Sequence, residues 1–168
     1  MRKTPVWITL SCCLLALAIV ALAQAVRKPG LWEMTSSMTY QQSPFPPGMP
    51  ASALAAMSAP HTVQVCLTQA MIDKYGAPLS QNRDCQITNI QMRSSSMTAD
   101  MVCSGRTNGK GTVESSWADG NVAKGKVHFV GTMGAGSNPM PVEWTAVSTS
   151  VYKGPDCGSV KPLPMPSN

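Results

Sequence analysis

The feature that most constrains the fold is a series of short strand-like segments in the second half of the chain, separated by turn signals. Residues 85–92 and 97–104 have strand composition, and the polar segment 93–96 lies between them. Asn108-Gly109 predicts a tight hairpin turn, and Asp119-Gly120 predicts another. Strands joined by such short turns pair antiparallel with their neighbours in sequence. This half of the chain therefore predicts a β-meander.

Strand patterns also occur on both sides of this region. Residues 121–131 alternate small or apolar residues with basic ones, which predicts a strand with one buried and one exposed face. Further strands are predicted at 30–40, 61–68, 111–117 and 142–152. A short helix is predicted at 69–75, ended by Gly76. We expect an all-β fold, an antiparallel meander of about seven strands in a strongly curved sheet or small barrel, with one short helix and two disulfides.

The first 25 residues predict an export signal. Arg2 and Lys3 form a basic start, residues 14–22 form an apolar core, and Ala23-Gln24-Ala25 is typical of a cleavage site. The apolar core is shorter than the roughly 20 residues that span a membrane. We therefore expect cleavage after Ala25, no membrane span in the mature chain, and a periplasmic location.

The rest of the chain has the length of one domain and contains no linker that would divide it. We expect residues 26–161 to form this domain. Residues 162–168 alternate with proline and are predicted to be a disordered tail. Residues 41–60, crowded with proline, methionine and small residues, predict a long loop with one helical turn at 53–57.

Cys66, Cys85, Cys103 and Cys157 remain after the export signal. An even number of cysteines in an exported chain predicts two disulfides, and four cysteines allow three pairings. We favour Cys66–Cys85 and Cys103–Cys157, which would stabilise the fold by roughly 3 and 4 kcal/mol in the chain-entropy model. Oxidised cysteines offer no thiolate for catalysis.

Several segments together resemble a known family. They are, in order, Pro29-Gly30-Leu31-Trp32-Glu33, a Pro/Gly/Met-rich loop, Val65-Cys66-Leu67-Thr68, Asp84-Cys85, Cys103 and the Gly-flanked Cys157. This order is similar to that of the bacterial envelope family catalogued as domain of unknown function 3617, and the resemblance covers most of the mature chain. It implies an exported, cysteine-containing, β-rich domain. It implies no activity, because none is assigned to the family.

The sequence contains no motif that indicates an enzyme. His61 and His128 are isolated and are expected on the surface. Glu33, Glu114 and Glu143 lie in predicted strands and would have to converge on one sheet face to act as paired carboxylates. Without the signal the chain has 11 basic and 8 acidic residues and no basic cluster, which argues against a nucleic-acid partner. We expect a protein that is not an enzyme and has no cofactor.

The first strand provides the best candidate for a binding site. Alternating residues of 30–40 place large apolar side chains on one face, which could be an ordinary core face or the wall of a cleft. The candidate ligand-facing residues are Trp32, Met34, Tyr40, Phe129 and Trp144. The loop at 41–60 would be the lid. Small inward residues such as Ala123 and Gly125 would leave a cavity or allow a tight bend. The prediction is a binding or accessory module for a small apolar ligand or a protein partner.

Soft-metal handling is the alternative. Eleven methionines follow the signal, and thioether sulfurs suit Cu(I). Methionine also fills irregular cores, which explains the methionines in predicted strands. A core role explains the loop methionines less well, and these are Met49, Met57, Met133 and Met140.

Overall fold

The computed structural model describes residues 27–45, 48–76, 84–134 and 138–165. The predicted export signal and its cleavage site lie outside the described residues. The strands are β1 (Gly30–Gln42), β2 (His61–Leu67), β3 (Cys85–Met92), β4 (Ser96–Cys103), β5 (Thr107–Trp117), β6 (Val122–Met133) and β7 (Met140–Gly154). The helices are α1 (Ala51–Ser58) and α2 (Gln69–Tyr75). In the described part of the chain, neither helix is long and apolar enough to cross a membrane.

All seven strands form one antiparallel sheet in the order β2-β1-β7-β6-β5-β4-β3. Strands β3 to β7 follow one another as neighbours, which confirms the predicted meander. Strand β1 lies between β2 and β7, so the first and last strands of the chain pair along most of their length. The sheet is open, because its edge strands β2 and β3 do not pair with each other. The small closed barrel is therefore not formed.

The turn predicted at Asn108-Gly109 is wrong. Both residues lie inside β5, where Gly109 is opposite Gly131 of β6. The chain reverses at residues 104–106 instead. A β-carbon at Gly109 would lie only 2.6 Å from the Cα of Gly131 and 2.8 Å from the ring of Phe129. The glycine therefore makes room for a ring and a neighbouring strand, which is a common role of glycine within a sheet.

Helix α2 has the limits that the sequence predicts. The Thr68 hydroxyl accepts a hydrogen bond from the Met71 N–H at 3.2 Å, which caps the first turn. Gly76 ends the helix in the left-handed conformation with φ 64°, and its N–H donates to the Ile72 carbonyl. Both ends of α2 are therefore set by local sequence signals.

The long loop predicted at 41–60 is only partly correct. Strand β1 continues to Gln42, and residues 51–58 form α1, so the described part of the chain has two helices and not one. Alanine and leucine, the strongest helix formers, dominate α1, and Pro50 precedes it. The helix propensity of these residues outweighs the tendency of the nearby prolines to prevent a helix.

One side of the sheet, which we call the inner face, packs against α2. Its central strands contribute Trp32 of β1, Ser150 of β7, Ala123 of β6, Val113 of β5 and Met97 of β4, all of which are buried. Helix α2 adds Met71, Ile72 and Tyr75 to the same core. The opposite side, the outer face, is mainly exposed and carries the lysines of β6, as the alternation predicts.

The favoured disulfide pairing is wrong. The disulfides are Cys85–Cys103 and Cys66–Cys157. Strands β3 and β4 are neighbours whose register places Cys85 directly opposite Cys103. Cys66 lies in β2, at the other edge of the sheet, so its nearness to Cys85 in sequence does not bring the two together.

The segment expected to be a disordered tail is partly ordered. Pro162 forms a parallel bridge with Cys66, and the Leu163 N–H donates to the Cys66 carbonyl at 3.2 Å. The Leu163 side chain packs against the core. The Cys66–Cys157 disulfide holds this segment close to β2, and its backbone satisfies part of an otherwise free strand edge. Residues 166–168 lie outside the described part of the chain.

Candidate functional site

One end of the inner face is filled by aromatic side chains. Tyr40 of β1 is opposite Trp144 of β7, and Trp144 is opposite Phe129 of β6. The rings of Phe129 and Trp144 stack with centroids 5.4 Å apart, and Phe129 is fully buried. Phe45, just after β1, makes an edge contact with Tyr40 at 5.4 Å. This end of the face is a packed core.

A second aromatic cluster lies near the start of β1. Trp32 is fully buried and makes an edge contact with Tyr152 at 5.4 Å. Its indole N–H donates to the Lys28 carbonyl at 2.9 Å, which satisfies the polar end of the ring. The guanidinium carbon of Arg27 lies 4.6 Å from the centre of the same ring, within the range of a cation–π contact.

Small side chains occupy the inner face between the two aromatic clusters. One row across the sheet consists of Ser36, Ser148, Gly125 and Ser115. Because four neighbouring strands contribute only hydroxymethyl groups or hydrogen at this level, they leave space that the flanking rings do not fill. The result is a cavity of about 310 Å³, which we call the inner-face cavity.

The neighbouring rows supply the apolar part of the wall of the inner-face cavity. These lining residues are Met34, Val65, Val113, Val127, Ala123 and Ala146. Leu163 of the docked C-terminal segment also contributes. A second cavity of about 260 Å³ is lined mainly by outer-face positions, and it shares five lining residues with the first, Glu114, Ser115, Lys124, Gly125 and Lys126. The inner-face cavity is therefore the better candidate for an apolar ligand.

The five predicted ligand-facing residues do not line one cleft. Met34 lines the inner-face cavity, whereas Trp32 lies in the cluster at one end and Tyr40, Phe129 and Trp144 lie in the cluster at the other. The small inward residues Ala123 and Gly125, for which the sequence allowed either a cavity or a bend, both line the cavity. The role of 41–60 as a lid stays a prediction.

Arg27 is one of the lining residues that the sequence did not indicate, and it is the charged one that is buried. It is only 2 % exposed and lines the inner-face cavity. Its terminal nitrogen Nη1 donates to the Gly76 carbonyl at 3.0 Å, while its buried Nε has no hydrogen-bond partner among the described residues. Burial lowers the pKa of Arg27 to about 10. The one sequence signal was a basic residue just ahead of an apolar strand that begins with tryptophan.

No carboxylate in the part of the chain that the structure describes balances the charge of Arg27. All eight aspartates and glutamates lie in the part of the chain that the structure describes, and none is within ion-pair distance of this guanidinium. The described ion pairs are Lys153–Glu33 at 2.9 Å and His128–Glu143 at 3.0 Å. The inner-face cavity therefore has in its wall a buried cation that is not paired with any carboxylate of the described residues.

Glu33, Glu114 and Glu143 lie on the outer face but are not neighbours. Glu33 is opposite Val151, Glu114 is opposite Lys126, and Glu143 is opposite Val130. Two of them are already paired with basic side chains. Their arrangement does not form the carboxylate pair that acid–base hydrolysis requires.

The structure brings together two of the four methionines considered for metal binding. Met133 of β6 is directly opposite Met140 of β7. Met57 is exposed on α1, and Met49 precedes that helix. Among the described residues, no group of three or more His, Cys, Asp or Glu side chains could hold a metal ion.

Together these features define a class of protein: an open, disulfide-bonded antiparallel sheet whose inner face carries a short helix and a cavity with a buried cation. Residues 27–157 match the model of a family described as a protein of unknown function, DUF3617. The match covers most of the chain, so the protein belongs to this family, and the resemblance seen in the sequence is confirmed. No curated protein and no solved structure matches the chain.

Proposed function

We propose that this protein is an exported, non-enzymatic binding module of the bacterial envelope, and that its inner-face cavity holds a small, mainly apolar ligand. The observation that carries the proposal is the row of small side chains that keeps about 310 Å³ open between two aromatic clusters. That volume is at the lower end of the roughly 300–1,000 Å³ typical of ligand pockets. It fits a ligand with a short chain or a single ring.

The placement of the small residues supports binding more than imperfect packing. Protein interiors are close-packed, and unfilled space in a core is destabilising. Here the space coincides with four small residues in one row, Ser36, Ser148, Gly125 and Ser115, while bulky rings fill the rows at both ends. A larger side chain in this row would take up part of the cavity.

An oxidising compartment is part of the proposal. Two disulfides join segments of this chain, and such bonds persist outside the reducing cytosol. Together with the signal predicted at 1–25, they support a periplasmic location. Fractionation of cells that express the full chain tests this point, with the N-terminus of the mature form determined by mass spectrometry.

A strongly curved sheet is also part of the proposal. One residue separates edge strand β2 from helix α2. Gly76 ends this helix, and a β-carbon added to Gly76 would lie 2.7 Å from Met92 of the opposite edge strand β3. A seven-residue helix is about 10 Å long, whereas six strand spacings in a flat sheet are about 29 Å. Curvature that brings the two edges towards each other accounts for this contact.

The experiment that tests the binding function compares the mature protein with a variant whose cavity is filled. Octanol serves as a neutral apolar probe, and binding is measured by isothermal titration calorimetry. We expect wild-type protein to bind octanol and Ser148→Leu to bind it at least about tenfold more weakly, because the leucine occupies the cavity. Thr149→Leu is the matched control, because Thr149 is the next residue of β7 and its side chain lies on the outer face. This variant should bind octanol like wild type. Equal binding by all three proteins, or none by wild type, would show the proposal wrong.

Soft-metal handling is a second candidate function, favoured by the pairing of Met133 with Met140 across two strands. Two thioethers on adjacent strands could contribute to a Cu(I) site. Titration of the mature protein with Cu(I) tests this, with Met133→Leu/Met140→Leu as the variant and Met97→Leu, a core methionine, as the control. Equal Cu(I) affinity of the two variants would exclude a site at this pair.

A further inference from the structure

A buried cation without an anionic partner lies in the wall of the inner-face cavity. We infer that the ligand of this cavity is amphipathic and carries an oxyanion that pairs with Arg27; this inference rests on the proposed binding function. The apolar part of the ligand would contact the aliphatic wall, and the oxyanion would lie at the end of the cavity near Trp32.

The burial of Arg27 is the first argument. A guanidinium withdrawn from water loses its hydration, and only paired charges are ordinarily buried in proteins. Arg27 recovers one hydrogen bond to the Gly76 carbonyl and a contact with the face of Trp32. Neither contact neutralises the charge, and its buried Nε is unused among the described residues. A ligand oxyanion would supply both the missing acceptor and the missing charge.

The adjacent residue in the chain is also basic but lies on the surface, so this part of the chain does not force a basic side chain to be buried. Lys28 is exposed, and its ammonium donates to the side-chain carbonyl of Asn121 at 2.8 Å. Two consecutive basic residues thus have opposite environments, one on the surface and one in the cavity wall. Arginine is also the residue best suited to carboxylate and phosphate groups, because its planar guanidinium donates two parallel hydrogen bonds.

The hydroxyls of the cavity supply further donors for an oxyanion. Ser150 is buried and lies opposite Met34 and Ala123, one row from the Trp32 cluster that Arg27 contacts. Ser115 is also buried and lines the cavity. A headgroup near Arg27 could therefore accept from the guanidinium and from Ser150.

The other charged residues beside the cavity are not equivalent to Arg27. Glu114, Lys124 and Lys126 border it through strand positions whose side chains belong to the outer face and are exposed. Water solvates these groups, so they do not need a ligand to balance them. The charge that selects the ligand is therefore that of Arg27.

A series of probes with the same chain and different headgroups tests the inference on the mature wild-type protein. The probes are octanoate, octyl phosphate, octanol and octyltrimethylammonium, and affinities are measured by calorimetry at low and physiological salt. We expect both anions to bind at least about tenfold more tightly than octanol, and the cation to bind most weakly. The ratio of octanoate to octyl phosphate affinity then distinguishes a carboxylate ligand from a phosphate ligand.

Arg27→Met removes the charge and retains the length of the side chain. We expect this variant to bind octanoate and octanol with equal affinity, because the charge that favours the anion is gone. Lys28→Met is the matched control, because it removes an exposed cation from the adjacent position, and it should retain the preference for anions. Thermal unfolding of both variants checks that they are folded.

The outcomes separate this inference from the proposed function. If wild-type protein binds octanol and octanoate equally, the cavity binds apolar ligands but the inference about the oxyanion is wrong. If neither probe binds, the proposed function fails and the inference fails with it. The headgroup series on wild type decides between these results even if Arg27→Met does not fold. Loss of the anion preference in Lys28→Met would also overturn the inference.

Discussion

Gly131 of β6 lies beneath the ring of Phe129, so that a β-carbon added to this glycine would be 2.9 Å from the ring. Gly109 of β5 contacts the same ring from the neighbouring strand. Two glycines that face each other across adjacent strands thus form a flat surface on which one aromatic side chain packs. This explains how Phe129 becomes fully buried in the middle of a long strand.

Gly131→Ala should therefore destabilise the fold. The added methyl group would displace the Phe129 ring and the adjacent backbone of β5, and we expect a loss of about 1–3 kcal/mol in the free energy of unfolding, measured in urea. Gly154→Ala in β7 is the control, because nothing lies within 4 Å of its added carbon. We expect the control to change the stability by less than about 0.5 kcal/mol. Equal effects of the two substitutions would contradict this account of Phe129.

The two disulfides should contribute unequally to stability. Cys85–Cys103 spans 18 residues and Cys66–Cys157 spans 91. In the chain-entropy model the longer loop contributes about 4.5 kcal/mol and the shorter about 3 kcal/mol. Replacing Cys66 and Cys157 together by alanine should therefore lower the free energy of unfolding more than replacing Cys85 and Cys103.

Peptide mapping without reduction checks the pairing itself. Proteolysis of the mature protein should release a peptide that contains both Cys85 and Cys103 or a disulfide-linked pair of peptides with these two residues. A linkage between Cys66 and Cys85 would contradict the structure. Which of the two double replacements lowers the free energy of unfolding more is a separate test. Strain in either disulfide would change that result without changing the pairing.

Arg27→Met should be at least as stable as wild type when no ligand is present. Replacing a buried, unbalanced charge by an apolar side chain of similar length is often neutral or stabilising, by up to about 4 kcal/mol. The lost hydrogen bond to the Gly76 carbonyl offsets part of this gain. Chemical unfolding at neutral pH measures the difference. A loss of more than about 2 kcal/mol would show instead that Arg27 is required for the fold.

The same residue predicts a pH dependence. Burial lowers the pKa of Arg27 from its value in the unfolded chain to about 10, so above pH 10 the unfolded chain binds more protons here than the folded protein. The contribution of Arg27 to stability therefore becomes more favourable as the pH rises above about 10. The stability difference between Arg27→Met and wild type should be constant below pH 9 and shrink at pH 11. A constant difference up to pH 11 would contradict this.

The turn between β5 and β6 should weaken in acid. Oδ1 of Asp119 accepts hydrogen bonds from the N–H groups of Asn121 at 2.9 Å and Val122 at 3.0 Å, and these bonds lower the pKa of its carboxyl. Because the folded-state pKa is depressed, the stabilisation is present above the unfolded value near 4 and is lost as the pH falls through the folded value.

Asp119→Ala should lower the urea midpoint at pH 7, since both N–H groups lose their acceptor. Asp119→Asn is the control, because it retains an acceptor oxygen without the charge. It should stay closer to wild type at pH 7 and lose the part of the acid dependence that comes from this turn. An acid dependence that is the same in all three proteins would show that the turn does not contribute to it.

Local signals in the sequence predicted the strands of the meander and both ends of α2. The alternation through 121–131 indicated which side chains of β6 are buried, and Gly76 marked the end of the helix. These signals depend on residues within a few positions of each other. The turn expected at Asn108-Gly109 failed because the same dipeptide also suits a strand that must make room for a ring.

Relationships between distant parts of the chain were not predictable in this way. The pairing of β1 with β7 joins Tyr40 to Trp144, and the edge positions of β2 and β3 separate Cys66 from Cys85. Arg27 contacts Gly76 and Trp32, and Leu163 lines the same cavity. These three residues are far apart in sequence, and the fold brings them together to bury Arg27. Neither the disulfide pairing nor the buried cation follows from any single segment.

The position of β1 between β2 and β7 sets an order in which the chain can fold when it is delivered N-terminus first, as it would be in the proposed export. The hairpin of β3 and β4 needs only local chain, so its disulfide can form while later residues are still being delivered. Strand β1 must wait for β7, and Cys66 must wait for Cys157, which lies close to the other end of the chain. The first strand delivered is thus among the last to acquire its full set of partners, and until then its exposed apolar stripe is a segment for which chaperones and neighbouring chains compete.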